Sequence, residues 1–96
     1  MDIWSWWKMT FKEVNKILEI INFNMNYCSI LDKPFVKAGD GVVAVLDKGA
    51  YKVYYVERNE PYDIKEFFNE NDASNDFLRR LRESFGNHYC FPKNAE

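Results

Sequence analysis

The residues of this chain that could supply thiolate and imidazole ligands to zinc, or a cysteine–histidine nucleophile pair, are two cysteines and one histidine. Cys28, His88 and Cys90 offer three zinc ligands, but they lack a CxxC pair and the fourth ligand of a structural zinc site. A cysteine–histidine nucleophile pair needs fixed geometry, which the end of a chain supplies poorly. We therefore expect structural or surface roles for all three residues, with no metal and no catalytic residue.

Motifs for phosphate binding or acyl transfer are also missing from the sequence. There is no glycine-rich phosphate loop and no GxSxG nucleophile elbow, and Gly39-Asp40-Gly41 is typical of a turn. Taken with the absence of a metal motif, this pattern predicts a protein that is not an enzyme and that needs no cofactor.

Carboxylates are concentrated between residues 57 and 76. Seven acids in these twenty residues stand against Arg58 and Lys65, which leaves a net charge of −5, whereas the whole chain carries only −2. Paired acids do glycosidase chemistry, but such a run is by default a solvated face. An acidic surface also attracts a basic protein and speeds its association. The mild overall charge argues against direct binding of nucleic acid.

Composition and the chain ends bound the location and size of the protein. With 47% apolar and 18% aromatic residues in 96 positions, we expect one domain over residues 1–96, with 1–9 and 89–96 as peripheral segments. No apolar run approaches the about 20 residues that span a bilayer, and MDIWSWWKM does not resemble a secretory signal. We expect a cytoplasmic protein away from membranes, with Cys28 and Cys90 as reduced, buried thiols.

Two amphipathic helices are predicted to flank the sheet. The first runs from about Thr10 to Asn22, with Thr10 and Glu13 forming a capping box. The second runs to Phe85, with Asn71 or Asp72 as its N-cap and Gly86 as its stop. Basic residues near the end of the second helix, Arg79, Arg80 and Arg82, complement the helix dipole and pair with nearby acids.

Between the helices the sequence indicates several strands. Residues 42–46 and 51–57 form a predicted hairpin around residues 47–50. The second arm is apolar on both faces, which predicts a central strand. Weaker strand patterns lie at 27–31 and at 35–36. A further weak pattern follows a turn at 59–61 and covers 62–68, either as one strand or as a strand interrupted by a loop. The fold class is thus α+β, with a small, mainly antiparallel sheet packed by an N-terminal and a C-terminal helix.

Aromatic residues at the two ends allow two interpretations. Trp4, Trp6 and Trp7 either anchor the N-terminal segment in the core, which we favour because aromatic burial is common, or form a contact surface. Near the other end, Tyr89 and Phe91 are expected to dock on the core.

One stretch resembles a pattern found in bacterial toxin-immunity proteins of contact-dependent growth inhibition and related polymorphic toxin systems. The stretch comprises the strand YKVYYVERNEP and the helical segment EFFNENDASNDFLRRL, about a third of the chain. Asn59 stands where such families often have glycine, and both residues tolerate a positive φ. The matching positions are Tyr51, Val53, Tyr54, Tyr55, Glu57, Arg58, Phe68, Glu70, Ala73, Phe77, Leu78, Arg80 and Leu81.

The resemblance implies a cytoplasmic antidote that binds one cognate toxin domain and blocks its active site or substrate cleft. Toxins of these systems are often nucleases with basic clefts, which an acidic surface would suit. The alternative is a small regulatory or adaptor domain that self-associates through its aromatic N-terminal segment. From charge and aromatic content, the residues predicted to bind the toxin are Glu57, Glu60, Asp63, Glu66, Glu70, Asp72, Tyr54 and Tyr62.

Overall fold

The computed structural model describes residues 9–31 and 40–91. They form a four-stranded sheet with one helix before it and one after it, which confirms the α+β class. A 3₁₀ turn at Met25–Tyr27 leads into the first strand. The elements are α1 (Phe11–Ile20), β1 (Cys28–Ile30), β2 (Asp40–Asp47), β3 (Ala50–Glu57), β4 (Glu60–Phe67) and α2 (Glu70–Phe85).

The sheet has the order β1-β2-β3-β4, so β3 is bonded on both sides as its two apolar faces predict. β2 and β4 run antiparallel to β3, while the short β1 runs parallel to β2. The turn predicted at Gly39-Asp40-Gly41 is wrong for Asp40 and Gly41. β2 already begins there, and Gly41 pairs with Val56, because an extended glycine can join a ladder that its neighbours hold in place.

Two-residue turns connect β2 to β3 and β3 to β4. Lys48 and Gly49 have φ of 52° and 83°, and Arg58 and Asn59 have φ of 54° and 67°. Positive φ at both central residues is the geometry of type I′ turns, whose twist matches that of the flanking strands. Asn59, which tolerates a positive φ, adopts one here.

β4 begins two residues earlier than predicted and carries an irregularity. Pro61, expected in the turn, lies inside the strand opposite Val56, which an edge strand tolerates because proline has no N–H to donate. Tyr62 lies opposite Tyr55 but Lys65 lies opposite Val53, so β4 has one extra residue there. This is a β-bulge, and Asp63 within it has φ of 55°.

Helix α1 begins as its capping signal predicts. Thr10 is the N-cap, and its Oγ1 accepts the Glu13 N–H at 3.3 Å. The buried face of the helix contains Phe11, Val14 and Leu18. α1 ends at Ile20, shortly before Asn22, which has φ of 60°.

Helix α2 begins earlier than predicted, so the assignment of its N-cap to Asn71 or Asp72 is wrong. Asn69 is the N-cap, and its Oδ1 accepts the Asp72 N–H at 2.8 Å. The Asn71 side chain accepts instead from the Met9 N–H at 2.8 Å, a long-range contact that the local sequence does not reveal. The helix ends at Phe85 before Gly86, as expected, where a Cβ would collide with the Arg82 carbonyl oxygen.

The main core lies between one face of the sheet and the two helices. Val42 and Val53 contribute from the sheet, with Leu18 from α1 and Phe77 and Leu81 from α2. Side chains alternate along a strand, so Tyr51 and Tyr55 also face this side, and both pack against the core. We call this side of the sheet the helix face and the other side the outer face.

The C-terminal segment docks as predicted, whereas one cysteine differs from expectation. Tyr89 and Phe91 pack on Phe23, with ring centroids 4.7 and 6.0 Å away. Both cysteines are free, but only Cys28 is buried, and burial raises the pKa of its thiol to about 12. Cys90 is exposed although both its neighbours, Tyr89 and Phe91, pack on the core, so the expected burial of this thiol is wrong.

Some predictions fall on residues that the structure does not describe. Trp4, Trp6 and Trp7 and the expected strand at 35–36 lie outside the described residues. The self-associating N-terminal segment therefore remains a prediction. Within residues 9–31 and 40–91, neither helix is long and apolar enough to cross a membrane.

Candidate protein interface

The eight residues predicted to bind a partner separate into three groups in the structure. Strand register and helix position decide the grouping. Glu57, Glu60, Tyr62 and Asp63 lie along the β3–β4 hairpin toward its turn, Tyr54 and Glu66 lie on the outer face, and Glu70 and Asp72 lie in the first turn of α2.

We call Glu57, Glu60, Tyr62 and Asp63 the hairpin group, and the type I′ turn between β3 and β4 brings them close together. Glu57 lies opposite Glu60, and Tyr55 lies opposite Tyr62. The rings of Tyr55 and Tyr62 stack, with centroids 5.3 Å apart and planes inclined by 22°. Tyr62 remains 48% exposed, so this aromatic pair reaches the surface.

Below this pair lies Arg80, whose side chain is fully buried. Its Nε donates to Asp76 Oδ2 at 2.7 Å, and its Cζ lies 4.7 Å from the centroid of the Tyr55 ring. The contact has the geometry of a cation–π interaction. Burial raises the pKa of the Tyr55 hydroxyl, and the charge of Arg80 acts against that rise.

Asp63 joins the hairpin group through the bulge. Its Oδ2 lies 3.9 Å from Arg80 Nη1, which is too long for a hydrogen bond but close enough for an ion pair. The Asp63 side chain is about half exposed. The extra residue in β4 thus places a surface carboxylate beside a buried guanidinium.

Glu66 and Tyr54 lie apart from the hairpin group. Glu66 pairs in register with Lys52, and Lys52 also binds Asp47 at 3.1 Å. Tyr54 shares the parity of Lys52 and therefore points to the outer face. On the outer face, Lys52 therefore offsets the negative charge of Glu66.

Glu70 and Asp72 have local structural roles at the start of α2. Glu70 Oε2 accepts the Phe11 N–H at 2.8 Å and so connects the first turns of the two helices. Asp72 Oδ2 accepts from the side-chain amide of Asn69, the N-cap, at 2.9 Å. Both carboxylates also interact favourably with the positive N-terminal end of the helix dipole.

The structure adds exposed apolar residues to those predicted from the sequence. Ile64 and Phe68 are 55% and 80% exposed, in β4 and directly after it. Next to the hairpin group is an open cleft of about 230 Å³, lined by Asp40, Tyr55, Glu57, Tyr62, Ser84 and Phe85 among others. The predicted hairpin began at residue 42, so the pairing of Asp40 with Glu57 appears only in the structure.

Metal chemistry finds no support in the described residues. Across 9–31 and 40–91, no three His, Cys, Asp or Glu side chains come together as metal ligands. His88 and Cys90 are both exposed, on the segment after α2. Comparison with protein-family models, with curated proteins and with solved structures finds no match.

Proposed function

We propose that this protein is a non-enzymatic binding protein that neutralises a cognate toxin domain, in the manner of bacterial immunity proteins. The toxin would be a basic protein, such as a nuclease, and binding would block its active site or substrate cleft. The interface would be centred on β4 together with Phe68, which we call the β4 edge.

The exposure of β4 carries this proposal. All residues from Glu60 to Glu66 are exposed, and among the described strands β4 pairs only with β3. A strand with an unpaired edge is a template for further pairing. Tyr62, Ile64 and Phe68 add exposed apolar surface to this strand. Aromatic and aliphatic anchors ringed by polar groups are typical of protein interfaces.

Charge supports a basic partner for the β4 edge. Glu60, Asp63 and Glu66 stand against Lys65 alone within β4. Complementary charge steers association and disfavours acidic partners. The resemblance of residues 51–81 to immunity proteins supports the same class of partner, because nuclease toxins present basic clefts to their substrate.

Co-purification tests the proposal directly. If the gene upstream encodes a long secreted protein, its C-terminal domain should be co-expressed with this chain carrying an affinity tag. We expect a stable 1:1 complex and loss of the toxic activity of that domain. Failure to co-purify, with both proteins folded, would contradict the proposal.

A matched pair of variants locates the interface. Phe68→Asp places a charge in the β4 edge, whereas Ile20→Asp changes an equally exposed apolar residue, also 80% exposed, at the end of α1. We expect Phe68→Asp to weaken the complex about tenfold or more, as for interface anchors, and Ile20→Asp to leave its affinity unchanged. Equal effects of the two variants on affinity would show that the toxin does not bind at the β4 edge.

A further inference from the structure

We propose that the cleft beside the hairpin group is a receptor for one arginine side chain of the partner. This inference rests on the proposed function, because it assumes a protein ligand with basic groups. It assigns the site a ligand chemistry: a planar guanidinium, held by two carboxylates and an aromatic face.

Two carboxylates flank the cleft from neighbouring strands. Asp40 opens β2 and lies opposite Glu57, the last residue of β3. The Arg58 backbone N–H donates to Asp40 Oδ1 at 3.0 Å, which orients that carboxylate. Two acids on adjacent strands match the fork of a guanidinium, which presents five N–H donors in one plane.

The end of helix α2 forms another wall of the cleft. Ser84 and Phe85, the last two helical residues, line it. The C-terminal end of a helix carries partial negative charge and favours a cation within its last turn. The partial negative charge of the helix end adds to the negative charges of Asp40 and Glu57.

The stacked tyrosines supply the aromatic face. Tyr55 and Tyr62 both line the cleft, and Tyr62 is half exposed. Tyr55 already holds the internal guanidinium of Arg80 at 4.7 Å and stacks on Tyr62, so the aromatic surface offered to a ligand is the half-exposed ring of Tyr62. The charge of Arg80 is paired with Asp76, whose Oδ2 accepts from Arg80 Nε at 2.7 Å. Arginine suits such stacking better than lysine.

The size of the cleft sets the scale of the ligand. Its volume of about 230 Å³ is below the about 300–1,000 Å³ typical of small-molecule sites. It is also open to solvent along one side, so a side chain can enter from a bound protein surface. One long side chain is therefore a better occupant than a cofactor.

NMR titration with single amino acid derivatives tests the cleft without any toxin. The probe is N-acetylarginine amide, and the control is N-acetylcitrulline amide, which has nearly the same shape without the charge. At constant ionic strength, we expect arginine to shift the amide signals of Gly41, Glu57, Tyr62 and Ser84, and citrulline to shift them far less. Absence of these shifts, or equal shifts with citrulline, would overturn the proposal.

Two variants with the same net charge complete the test. Glu57→Gln removes a carboxylate from the cleft, and Glu66→Gln removes one from the outer face. We expect Glu57→Gln to weaken arginine binding about two- to fivefold, as for a solvent-exposed ion pair, and Glu66→Gln to have no effect. Equal effects of the two variants would mean that net charge alone attracts arginine, and would overturn the proposal.

The outcome separates this inference from the proposed function. If the chain co-purifies with the toxin domain but shows no selective arginine shifts, only the cleft proposal fails. If arginine binds selectively but no toxin domain co-purifies, the cleft stands and the immunity function fails.

Discussion

Arg80 is the largest of the fully buried side chains among the described residues, and it is charged. Its guanidinium is fully buried, with Asp76 at 2.7 Å and the Tyr55 ring at 4.7 Å. Its Nη1 and Nη2 are buried without a hydrogen-bond partner among the described residues. A buried charge is tolerated mainly through its partner, so removing that partner costs more than removing the pair.

At this scale we predict different costs for the two members of the ion pair. Asp76→Ala should lower the free energy of unfolding by about 3–5 kcal/mol, because it strands the buried charge. Arg80→Met should cost less, because it removes the charge and keeps most of the volume. Urea denaturation followed by circular dichroism measures both.

A control variant separates Arg80 from the neighbouring surface pairs. Arg79 contacts Asp76 at 2.6 Å and the exposed Glu83 at 3.0 Å. Glu83→Ala should cost no more than about 1 kcal/mol, as is usual for an exposed pair. A larger loss for Arg80→Met than for Asp76→Ala would contradict the account of Arg80.

At the scale of elements, the two tight hairpins set the register that brings the site residues together. The Arg58-Asn59 turn places Glu57 opposite Glu60 and Tyr55 opposite Tyr62. The bulge that follows adds one residue and leaves Asp63 beside Arg80. The aromatic pair and the buried guanidinium therefore depend on backbone conformations that few residues accept.

We predict that Asn59 is replaceable by glycine but not by a β-branched residue. Its φ of 67° lies in the left-handed region, where other L-residues lose about 1–2 kcal/mol. Asn59→Gly should keep the stability within about 1 kcal/mol, whereas Asn59→Val should lose about 1–2 kcal/mol. Thermal or urea unfolding distinguishes them, with Gly49→Val in the other hairpin as a reference for a strained turn. Equal stability of the two Asn59 variants would refute the turn assignment.

At the scale of the whole molecule, the acids of residues 57–76 do not form one uniform patch. Glu70 and Asp72 support the start of α2, Asp76 is bonded to Arg79 and Arg80, and Glu66 lies opposite Lys52. Within β4 itself, three acids stand against Lys65 alone. Long-range fields govern association rates more than they govern the strength of the final contact.

We therefore predict a kinetic effect of reversing charge in β4. Glu60→Lys with Glu66→Lys should slow association with the toxin domain about tenfold at low salt and flatten its salt dependence. Asp63 is left unchanged, because a lysine there would lie beside buried Arg80. Stopped-flow fluorescence at two ionic strengths measures the rates.

The control carries the same net charge on other elements. Glu19→Lys in α1 with Glu83→Lys in α2 changes two exposed acids outside β4. If both double variants slow association equally, the effect belongs to net charge and not to the β4 edge.

Much of the fold was predictable because its signals are local. The Thr10 cap, the hairpin at residues 42–57 and the stop at Gly86 depend on residues only a few positions apart. The central position of β3 followed from its two apolar faces. The cap of α2 was misplaced because Asn69, Asn71 and Asp72 are all competent caps, and only the long-range bond from Met9 to Asn71 separates their roles.

The sequence by itself determined the α+β class, the central strand, the suitability of Asn59 for a positive φ and the excess of acid in residues 57–76. Only the tertiary structure decided which of those acids support the fold and which line the surface. It also placed Arg80 under Tyr55, opened the cleft between Asp40, Glu57 and Tyr62, and left Cys90 exposed. The physical reason is that periodicity and capping act over a few residues, whereas strand register, the bulge at Asp63 and the docking of α2 join residues far apart in the chain.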